Sequence, residues 1–539
     1  MKFWLPFIKQ RRVEYICFAF FMLLACVGFC THEMWYDEAQ AWQIARTAPI
    51  NDILFLIPHY EGHPPFWHLL LAIPAKLGSP WQWSVGIIGF LFMIANGALI
   101  FFKAPFPRWV RCLLPFSYFL FYQYGIIVRP YSALTLVMLL LALYFPQKDK
   151  RSTLYVVLLA ALCMCHIFGI AIAGGITLAW LWELKNHRPW KEYLSALCKD
   201  VRFHKMLGLL GFVIILFILM HQTNGFLSAY LAYTRSLFKQ LLYVFFAMPA
   251  DAVLTNSVDS IQIINHAFTW PNLLVACIVG ACLWGMLFTF LSRKYILYLV
   301  LPYLCLAGIL IHYCSRHHIG IALVLVIWYA WITLKAFPAL NPVSEKIKRL
   351  AHGFLALVLI VPAGWSLYAL YVDYKLLLFP GQPSVDFLNK YHLTHKLIFT
   401  SWNIKSSGQN IFVREVNSLP QATMLNVYMP YNMIANFRDG NSQAYNINSI
   451  STPQQTAQLL KQMRSKGLPD VLIGAVDLPL IYDDDPDVLK NYRAALVTFI
   501  YIPWKFDRPQ SEELPIYLHQ DLWNQLKQQM MADQTASQR

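Results

Sequence analysis

The chain has 539 residues, of which 58% are hydrophobic and 13% are charged, whereas about 25% of residues are charged in ordinary soluble domains. The net charge of +15 is uneven, because residues 1–374 hold 28 Lys and Arg against 14 Asp and Glu, while residues 375–539 hold 15 against 14. The excess lies in short loops between apolar runs, where the positive-inside rule places it on the cytoplasmic side. The C-terminal part has no basic groove interleaved with aromatic residues, so the sequence excludes nucleic acid as a partner.

Apolar runs of span length recur from residue 13 to about residue 374 and predict a polytopic α-helical membrane protein. Basic residues before the first run place the N-terminus in the cytoplasm. Loop charge then favours about eleven transmembrane helices, although one long tilted helix over 153–184 would reverse everything after it. The predicted spans are 13–30, 83–102, 112–128, 132–145, 153–165, 167–184, 206–222, 271–292, 295–312, 319–334 and 354–373.

The apolar segment 64–78 is short for a membrane span, and Pro74 interrupts it. Counting it as a span would place the basic loops that follow it on the outer side, against the positive-inside rule. We therefore predict a surface helix within a first outer loop, residues 31–82. The membrane region is then 1–374, and residues 375–539 form a soluble extracytoplasmic domain.

An acidic and aromatic segment, Trp35-Tyr36-Asp37-Glu38, follows the first predicted span. Adjacent carboxylates beside lipid are costly, which makes them candidates for a function. The predicted topology brings further unusual polar residues to the same side: Glu61, His63, Arg129, Tyr131, His166, Arg316, His317 and His318.

Carboxylates and arginines at one membrane surface suit the transfer of a sugar carried on a lipid phosphate. The attacking hydroxyl needs a carboxylate to take its proton, and arginine binds the departing phosphate through a planar fork of donors. Other interpretations stay open. The aromatic residues fit an interfacial belt, the 316–318 cluster fits a helix cap or lipid head-group contact, and Glu61 with His63 fits a surface pair or a metal site. His166 fits a structural role.

The segments Trp35-Tyr36-Asp37-Glu38-Ala39 and Glu61-Gly62-His63-Pro64-Pro65-Phe66 resemble the GT-C superfamily of membrane glycosyltransferases. The branch that they resemble is glycosyltransferase family 39-like, with the protein O-mannosyltransferases and bacterial aminoarabinose transferases. The motif at 315–318 fits uncharacterised bacterial relatives better than the mannosyltransferases.

The resemblance implies that Asp37 is the catalytic base and that Glu38 positions it. It also implies that Arg129 lies near the lipid phosphate. We assign donor-phosphate binding to Arg129, Tyr131, Arg316, His317 and His318, and substrate binding to Trp35, Tyr36, Glu61 and His63. No cofactor is assigned. The eleven cysteines show no zinc-ligand spacing, so no metal ligands are assigned, while a divalent metal stays open.

The C-terminal part alternates between strand-like and helix-like stretches and predicts a small α/β domain. Strands are expected at 396–400, 471–474 and 496–500, and a helix from Thr452-Pro453 to Gly467. The acidic run 483–487 lacks the glycine and terminal glutamate of an EF-hand loop, so a solvated loop is favoured over a calcium site.

Together these features predict a multi-pass glycosyltransferase of the inner (plasma) membrane. It would move a sugar from a polyprenyl-phosphate donor to an extracytoplasmic lipid, glycan or protein by inverting displacement, in contact with membrane lipids. Two rivals remain. A secondary transporter would show internal repeats and ionisable groups at the bilayer midplane, and a non-catalytic envelope-assembly protein would use the C-terminal domain for binding.

Overall fold

The computed structural model describes residues 11–32, 34–185, 189–221, 237–258, 270–337, 344–376, 381–400, 404–407, 410–413, 425–429, 454, 457–458, 461, 464–473, 486–506 and 510–537. Within these residues, eight helical segments are long and apolar enough to cross a membrane. They are Arg12–Thr31, Trp81–Lys103, Pro130–Gln147, Ile167–Lys185, Val201–Met220, Trp270–Phe290, Arg316–Ala336 and Glu345–Lys375. The predicted polytopic helical membrane fold is confirmed.

Two shorter apolar helices, Ser152–Cys165 and Leu297–Leu310, pack among the long ones. The end of the helix Ser152–Cys165 rules out the alternative of one long tilted helix over 153–184. His166 has extended backbone angles (φ −167°, ψ 158°), which end one helix before the next begins at Ile167. The two helices pack against each other, so the chain turns back here as two helices.

The predicted span 112–128 is not a continuous α-helix. Arg108–Leu113 is α-helical, Leu114–Phe116 is a 3₁₀ turn and Phe119–Ile126 is π-helical. Pro115 lacks a backbone N–H donor and interrupts the α-helical pattern. Irregular helical turns of the π type are frequent at functional sites, and this one ends shortly before Arg129.

The first and last long helices run in the same direction. Near their N-terminal ends, Glu14 accepts a hydrogen bond from Arg111, and Trp109 lies against His352. At their C-terminal ends, His32 Nδ1 lies 3.2 Å from Asp373 Oδ2. Parallel first and last crossings require an odd number of crossings. The predicted count of eleven has this parity and stays a prediction.

The first loop holds four helices: Tyr36–Thr47, Ile50–Phe55, Ile57–Glu61 and Phe66–Lys76. The last of these has 11 residues and is therefore about 16 Å long, about half the thickness of a hydrocarbon core. It is too short to cross, in agreement with the prediction for 64–78. Its buried Trp67 and Leu71 share a core with Trp42 and Ile44 of the first loop helix, so the loop is a packed unit.

Short helices connect the later spans: Trp190–Leu197, Leu237–Leu242, the π-helical Tyr243–Ala247 and Met248–Asp251. They fall partly in the predicted outer loop 223–270, of which 223–236 and 259–269 lie outside the described residues. Arg293–Tyr295 and Arg316–His318 are 3₁₀ turns before the helices Leu297–Leu310 and Gly320–Ala336.

The described strands of the C-terminal part are β1 Ile398–Thr400, β2 Ile404–Ser407, β3 Asn410–Val413, β4 Val471–Ile473, β5 Tyr492–Ile502 and β6 Gln510–His519. Four of them form a sheet of order β1-β4-β6-β5, in which only the β1–β4 pair is parallel among the described strands. Helices Gly381–Lys390 and Gln520–Ser537 flank them. The three predicted strands coincide with β1, β4 and β5. The start of the predicted helix at 452–453 and the acidic residues 483–485 lie outside the described residues.

Candidate active site at the first loop

Asp37 stands in the first turn of the helix Tyr36–Thr47, where the helix dipole favours a carboxylate. Its Oδ2 lies 2.6 Å from Nη1 of Arg129, and the Asp37 side chain keeps 27% of its surface exposed. Burial raises the pKa of Asp37, Arg129 lowers it and Glu38 raises it, and the net direction is upward from 3.8. Asp37 is thus an accessible carboxylate with strengthened basicity.

Arg129 lies between two helical segments, with extended backbone angles and Pro130 opening the next helix. Its guanidinium sits over the rings of Trp35 and Tyr131, at 5.2 Å from each centroid. The contact with Asp37 is an ion pair without hydrogen-bond alignment, and among the described residues the buried Nη1 has no hydrogen-bond acceptor. A phosphate oxygen that binds this guanidinium would therefore compete with the Asp37 carboxylate.

Glu38 points into the protein, away from solvent, with 2% of the residue exposed. Its Oε1 accepts the backbone N–H of Val128 at 2.6 Å. Its Oε2 accepts the backbone N–H of Trp35 at 2.9 Å and lies 3.0 Å from His32 Nε2. Glu38 therefore joins the start of the first loop helix to the backbone next to Arg129, which is a positioning arrangement.

His32 connects Glu38 to Asp373 near the end of the last long helix, 3.2 Å from His32 Nδ1. Burial opposes a charge on His32, but the two neighbouring carboxylates outweigh it and raise its pKa to about 10. No role was predicted from the sequence for either His32 or Asp373. Asp373 could have been recognised in the sequence as a carboxylate inside an otherwise apolar span, because such a group is costly unless it has a partner.

Glu61 and His63 lie in the same region as Asp37 and Arg129. Among the described residues, Glu61 Oε1 and His63 Nδ1 are buried without a hydrogen-bond partner. Burial, and next the charge of Asp37, raise the pKa of Glu61 to about 7. Burial, with Arg129 and His68 nearby, lowers the pKa of His63 to about 3. A neutral imidazole and a carboxyl group that titrates near neutrality both suit a substrate with hydroxyl groups.

His166 has a fixed tautomer. Its Nδ1 accepts the backbone N–H of Phe168 at 3.3 Å, so the ring proton is on Nε2, which donates to the hydroxyl oxygen of Tyr131 at 3.3 Å. Burial, and the neighbouring His63, lower the pKa of His166 well below 6.5. The rings of His63 and His166 lie 4.4 Å apart. His166 thus connects Tyr131 to His63, and these contacts are compatible with the structural role favoured from the sequence.

The 3₁₀ turn Arg316–His318 divides into two faces. The His317 ring lies 5.6 Å from Trp35 and 5.8 Å from Tyr131, on the side of Arg129. Arg316 instead donates to the carbonyl of Val258 at 2.8 Å and lies over the ring of Trp504 at 5.1 Å.

The remaining predicted residues are placed as follows. His318 Nδ1 accepts the backbone N–H of Ser315 at 2.9 Å, and its buried Nε2 has no partner among the described residues. Tyr36 is the first residue of the first loop helix and is partly exposed. In the part of the chain that the structure describes, no three His, Cys, Asp or Glu side chains converge as a group that could hold a metal ion.

Comparisons with known proteins add one distant likeness. No family model matches the sequence, and no curated protein matches it. Among solved structures, a mutant of the arabinofuranosyltransferase AftD from Mycobacteria aligns with 13% identity over 94% of this chain, with a TM-score of 0.36. The chain spans 41% of the length of that protein. At this degree of similarity the likeness assigns neither a family nor an activity.

Proposed function

We propose that the protein is a membrane glycosyltransferase of GT-C type that moves a sugar from a polyprenyl-phosphate donor to an extracytoplasmic acceptor. The observation that carries the proposal is the pair formed by Asp37 and Arg129: an accessible carboxylate 2.6 Å from a guanidinium that lies over the rings of Trp35 and Tyr131. A base and an anion-binding group side by side match a displacement at a sugar carbon bonded to phosphate.

In the proposed reaction, the acceptor hydroxyl gives its proton to the Asp37 carboxylate while its oxygen bonds to the anomeric carbon. The bond from that carbon to the phosphate oxygen breaks, and its electron pair leaves with the polyprenyl phosphate. Attack opposite the leaving group inverts the anomeric configuration. The raised pKa of Asp37 increases its strength as a base.

Arg129 would bind the phosphate of the donor. Its guanidinium is held between Trp35 and Tyr131, so little side-chain freedom is lost when it binds a ligand. Because phosphate competes with Asp37 for the guanidinium, donor binding would weaken the ion pair and free the carboxylate to accept a proton. His317, Tyr131, Glu61 and His63 would contact the sugar or the phosphate, and Arg316, next to His317 in the chain, would contact the phosphate.

The proposed location is the inner (plasma) membrane, with the first loop and residues 375–539 on the extracytoplasmic side. Loop charge supports this orientation. Residues 1–374 would form the catalytic region, and the C-terminal domain would lie over its outer face. Arg46 supports that contact, because it donates to the carbonyl oxygens of Asn426 and Met429 at 3.0 and 2.9 Å.

Asp37→Asn tests the proposal, with Asp52→Asn in the adjacent helix as the matched control. Purified variants in nanodiscs would receive radiolabelled polyprenyl-phosphate hexoses and pentoses, and sugar transfer and donor hydrolysis would be measured. Loss of the base should lower the rate by about 10²- to 10⁴-fold, while Asp52→Asn keeps it. Wild-type rates in Asp37→Asn would refute the mechanism. If the wild-type protein neither transfers sugar from any of the donors nor hydrolyses them, the proposed function is refuted.

A further inference from the structure

The tip of the β5–β6 hairpin, residues 503–506, lies within the helical region. The ring of Trp504 is 5.6 Å from Tyr118 and 6.1 Å from Phe119, and the ring of Phe506 is 6.2 Å from Trp365. Trp365 precedes Asp373 by eight residues, which is about 12 Å along a helix. The hairpin tip therefore contacts the last long helix well before its C-terminal end.

Lys505 is the centre of this contact, with 1% of its surface exposed. Its Nζ donates to the carbonyl oxygens of Asp251 at 2.7 Å and Thr255 at 2.6 Å. The ammonium also lies over the rings of Trp365 and Trp504, at 4.8 and 4.9 Å. A buried ammonium is costly, and here two carbonyl dipoles and two ring faces replace its water.

The segment that Lys505 holds, residues 251–258, is a preformed turn. The carboxylate of Asp251 accepts the hydroxyls of Thr255 and Ser257 at 2.6 Å each and the backbone N–H of Ser257 at 3.0 Å. Because the turn is internally bonded, fixing the carbonyls of Asp251 and Thr255 also fixes Val258 at its end.

Arg316 rests on both of these elements. Its Nη2 donates to the carbonyl of Val258, at the end of the turn, and its guanidinium lies over Trp504 of the hairpin tip. Trp504 in turn donates from Nε1 to Asn256 Oδ1 at 2.7 Å. The described contacts of Arg316 thus include one with the tip itself and one with the turn that the tip holds.

We propose that the hairpin tip of the C-terminal domain is the positioning element for Arg316, with Lys505 and Trp504 as positioning residues. Arg316 is next in the chain to His317, whose ring lies beside Trp35 and Tyr131, and the part of Arg316 in binding the phosphate of a polyprenyl-phosphate ligand rests on the proposed function. The C-terminal domain then completes the anion site of the membrane region instead of serving only as a cover. An arginine held in one orientation binds phosphate more tightly than a mobile one, because less freedom is lost on binding.

Lys505→Met tests the inference, with Lys490→Met as the matched control. Lys490 lies just before β5, is largely exposed and pairs with Asp487 at the surface, whereas Lys505 lies just after β5. Two quantities would be measured on the full-length protein in nanodiscs: hydrogen exchange of residues 251–258, and the affinity for a polyprenyl phosphate without sugar. Lys505→Met should speed the exchange and weaken binding about tenfold, the size of one charge-assisted hydrogen bond, while Lys490→Met changes neither.

Trp504 supplies a rescue test. Trp504→Phe keeps a ring face under Arg316 and loses the N–H to Asn256, whereas Trp504→Leu loses both. The Trp504→Phe variant should therefore bind polyprenyl phosphate more tightly than the Trp504→Leu variant. In the Arg316→Gln background, Lys505→Met should weaken binding no further, because its effect acts through Arg316.

Unchanged exchange in Lys505→Met, or faster exchange with wild-type affinity, would overturn the inference. Equal losses of affinity in Trp504→Phe and Trp504→Leu would also overturn the inference. If the wild type binds no polyprenyl phosphate, the proposed function fails separately. The positioning of Arg316 is then decided by melting temperatures of Lys505→Met, Arg316→Gln and the double variant. Additive shifts would refute the coupling, and non-additive shifts would support it.

Discussion

Glu38→Gln separates a positioning carboxylate from a catalytic one. The substitution keeps the shape of the side chain but leaves one acceptor oxygen where there were two. In the structure both oxygens are used: Oε1 accepts from Val128, and Oε2 accepts from Trp35 and lies against His32. Whichever way the amide turns, its NH₂ group faces at least one backbone N–H, and a hydrogen bond is lost.

The magnitude follows from these contacts. A buried backbone N–H that is left unpaired costs about 1–3 kcal/mol. The imidazolium of His32 also loses one of its two carboxylate partners, and breaking a buried ion pair costs about 3–5 kcal/mol. We expect a loss of about 3 kcal/mol in the free energy of unfolding, because the neutral amide relieves part of the penalty by letting His32 lose its proton.

Thermal unfolding of the detergent-solubilised protein at pH 7 and a fixed scan rate would measure this loss. A fall of about 3 °C in melting temperature is expected for Glu38→Gln, because the entropy of unfolding grows with chain length. Glu345→Gln is the control, because Glu345 is exposed and pairs with Lys348 at the surface, where such pairs contribute about 0–1 kcal/mol. A Glu38→Gln variant that melts like the wild type but has lost sugar transfer would refute the reasoning and assign Glu38 to the chemistry.

Two further predictions use matched variants. The folded protein holds a proton on Glu61 up to about pH 7, against 4.5 for an unperturbed group; stability should therefore fall as pH rises from 4.5 to 7. Melting curves across this range should show a smaller fall for Glu61→Gln, and equal slopes would contradict the raised pKa. At Gly280, a Cβ would overlap the carbonyl of Phe246, whereas Gly285 of the same helix has open space. Gly280→Ala should lower the free energy of unfolding by about 1–3 kcal/mol, whereas Gly285→Ala should not. Equal melting temperatures of the two variants would show that the helix can shift.

Much of the membrane architecture follows from local sequence. The run 13–30 and the run 83–102 each match a helix of the structure, Arg12–Thr31 and Trp81–Lys103, because burial in lipid depends on apolar length alone. The region 108–126 was less predictable. Whether an apolar stretch containing Pro115 continues as an α-helix or becomes π-helical depends on the helices that pack around it.

The candidate site was partly predictable for a similar reason. Asp37 and Arg129 are conspicuous because charges next to apolar runs are rare, and the structure joins them in an ion pair. Arg316 was predicted to bind the donor phosphate with Arg129, which stays a prediction, and its described contacts are with Val258 and Trp504. No sequence pattern links residue 316 to residue 504, since the contact depends on where the C-terminal hairpin docks.

Composition and spacing are enough to show that the chain spans a membrane many times and that its unusual charges include a carboxylate pair after the first span. Both are local properties of the chain. What each carboxylate contacts depends on how distant segments pack. Asp37 faces Arg129 and keeps an exposed edge, whereas Glu38, the next residue, is enclosed by His32 and two backbone N–H groups. Adjacent residues on a helix point about 100° apart, so packing assigns opposite environments to two side chains that look alike in the sequence.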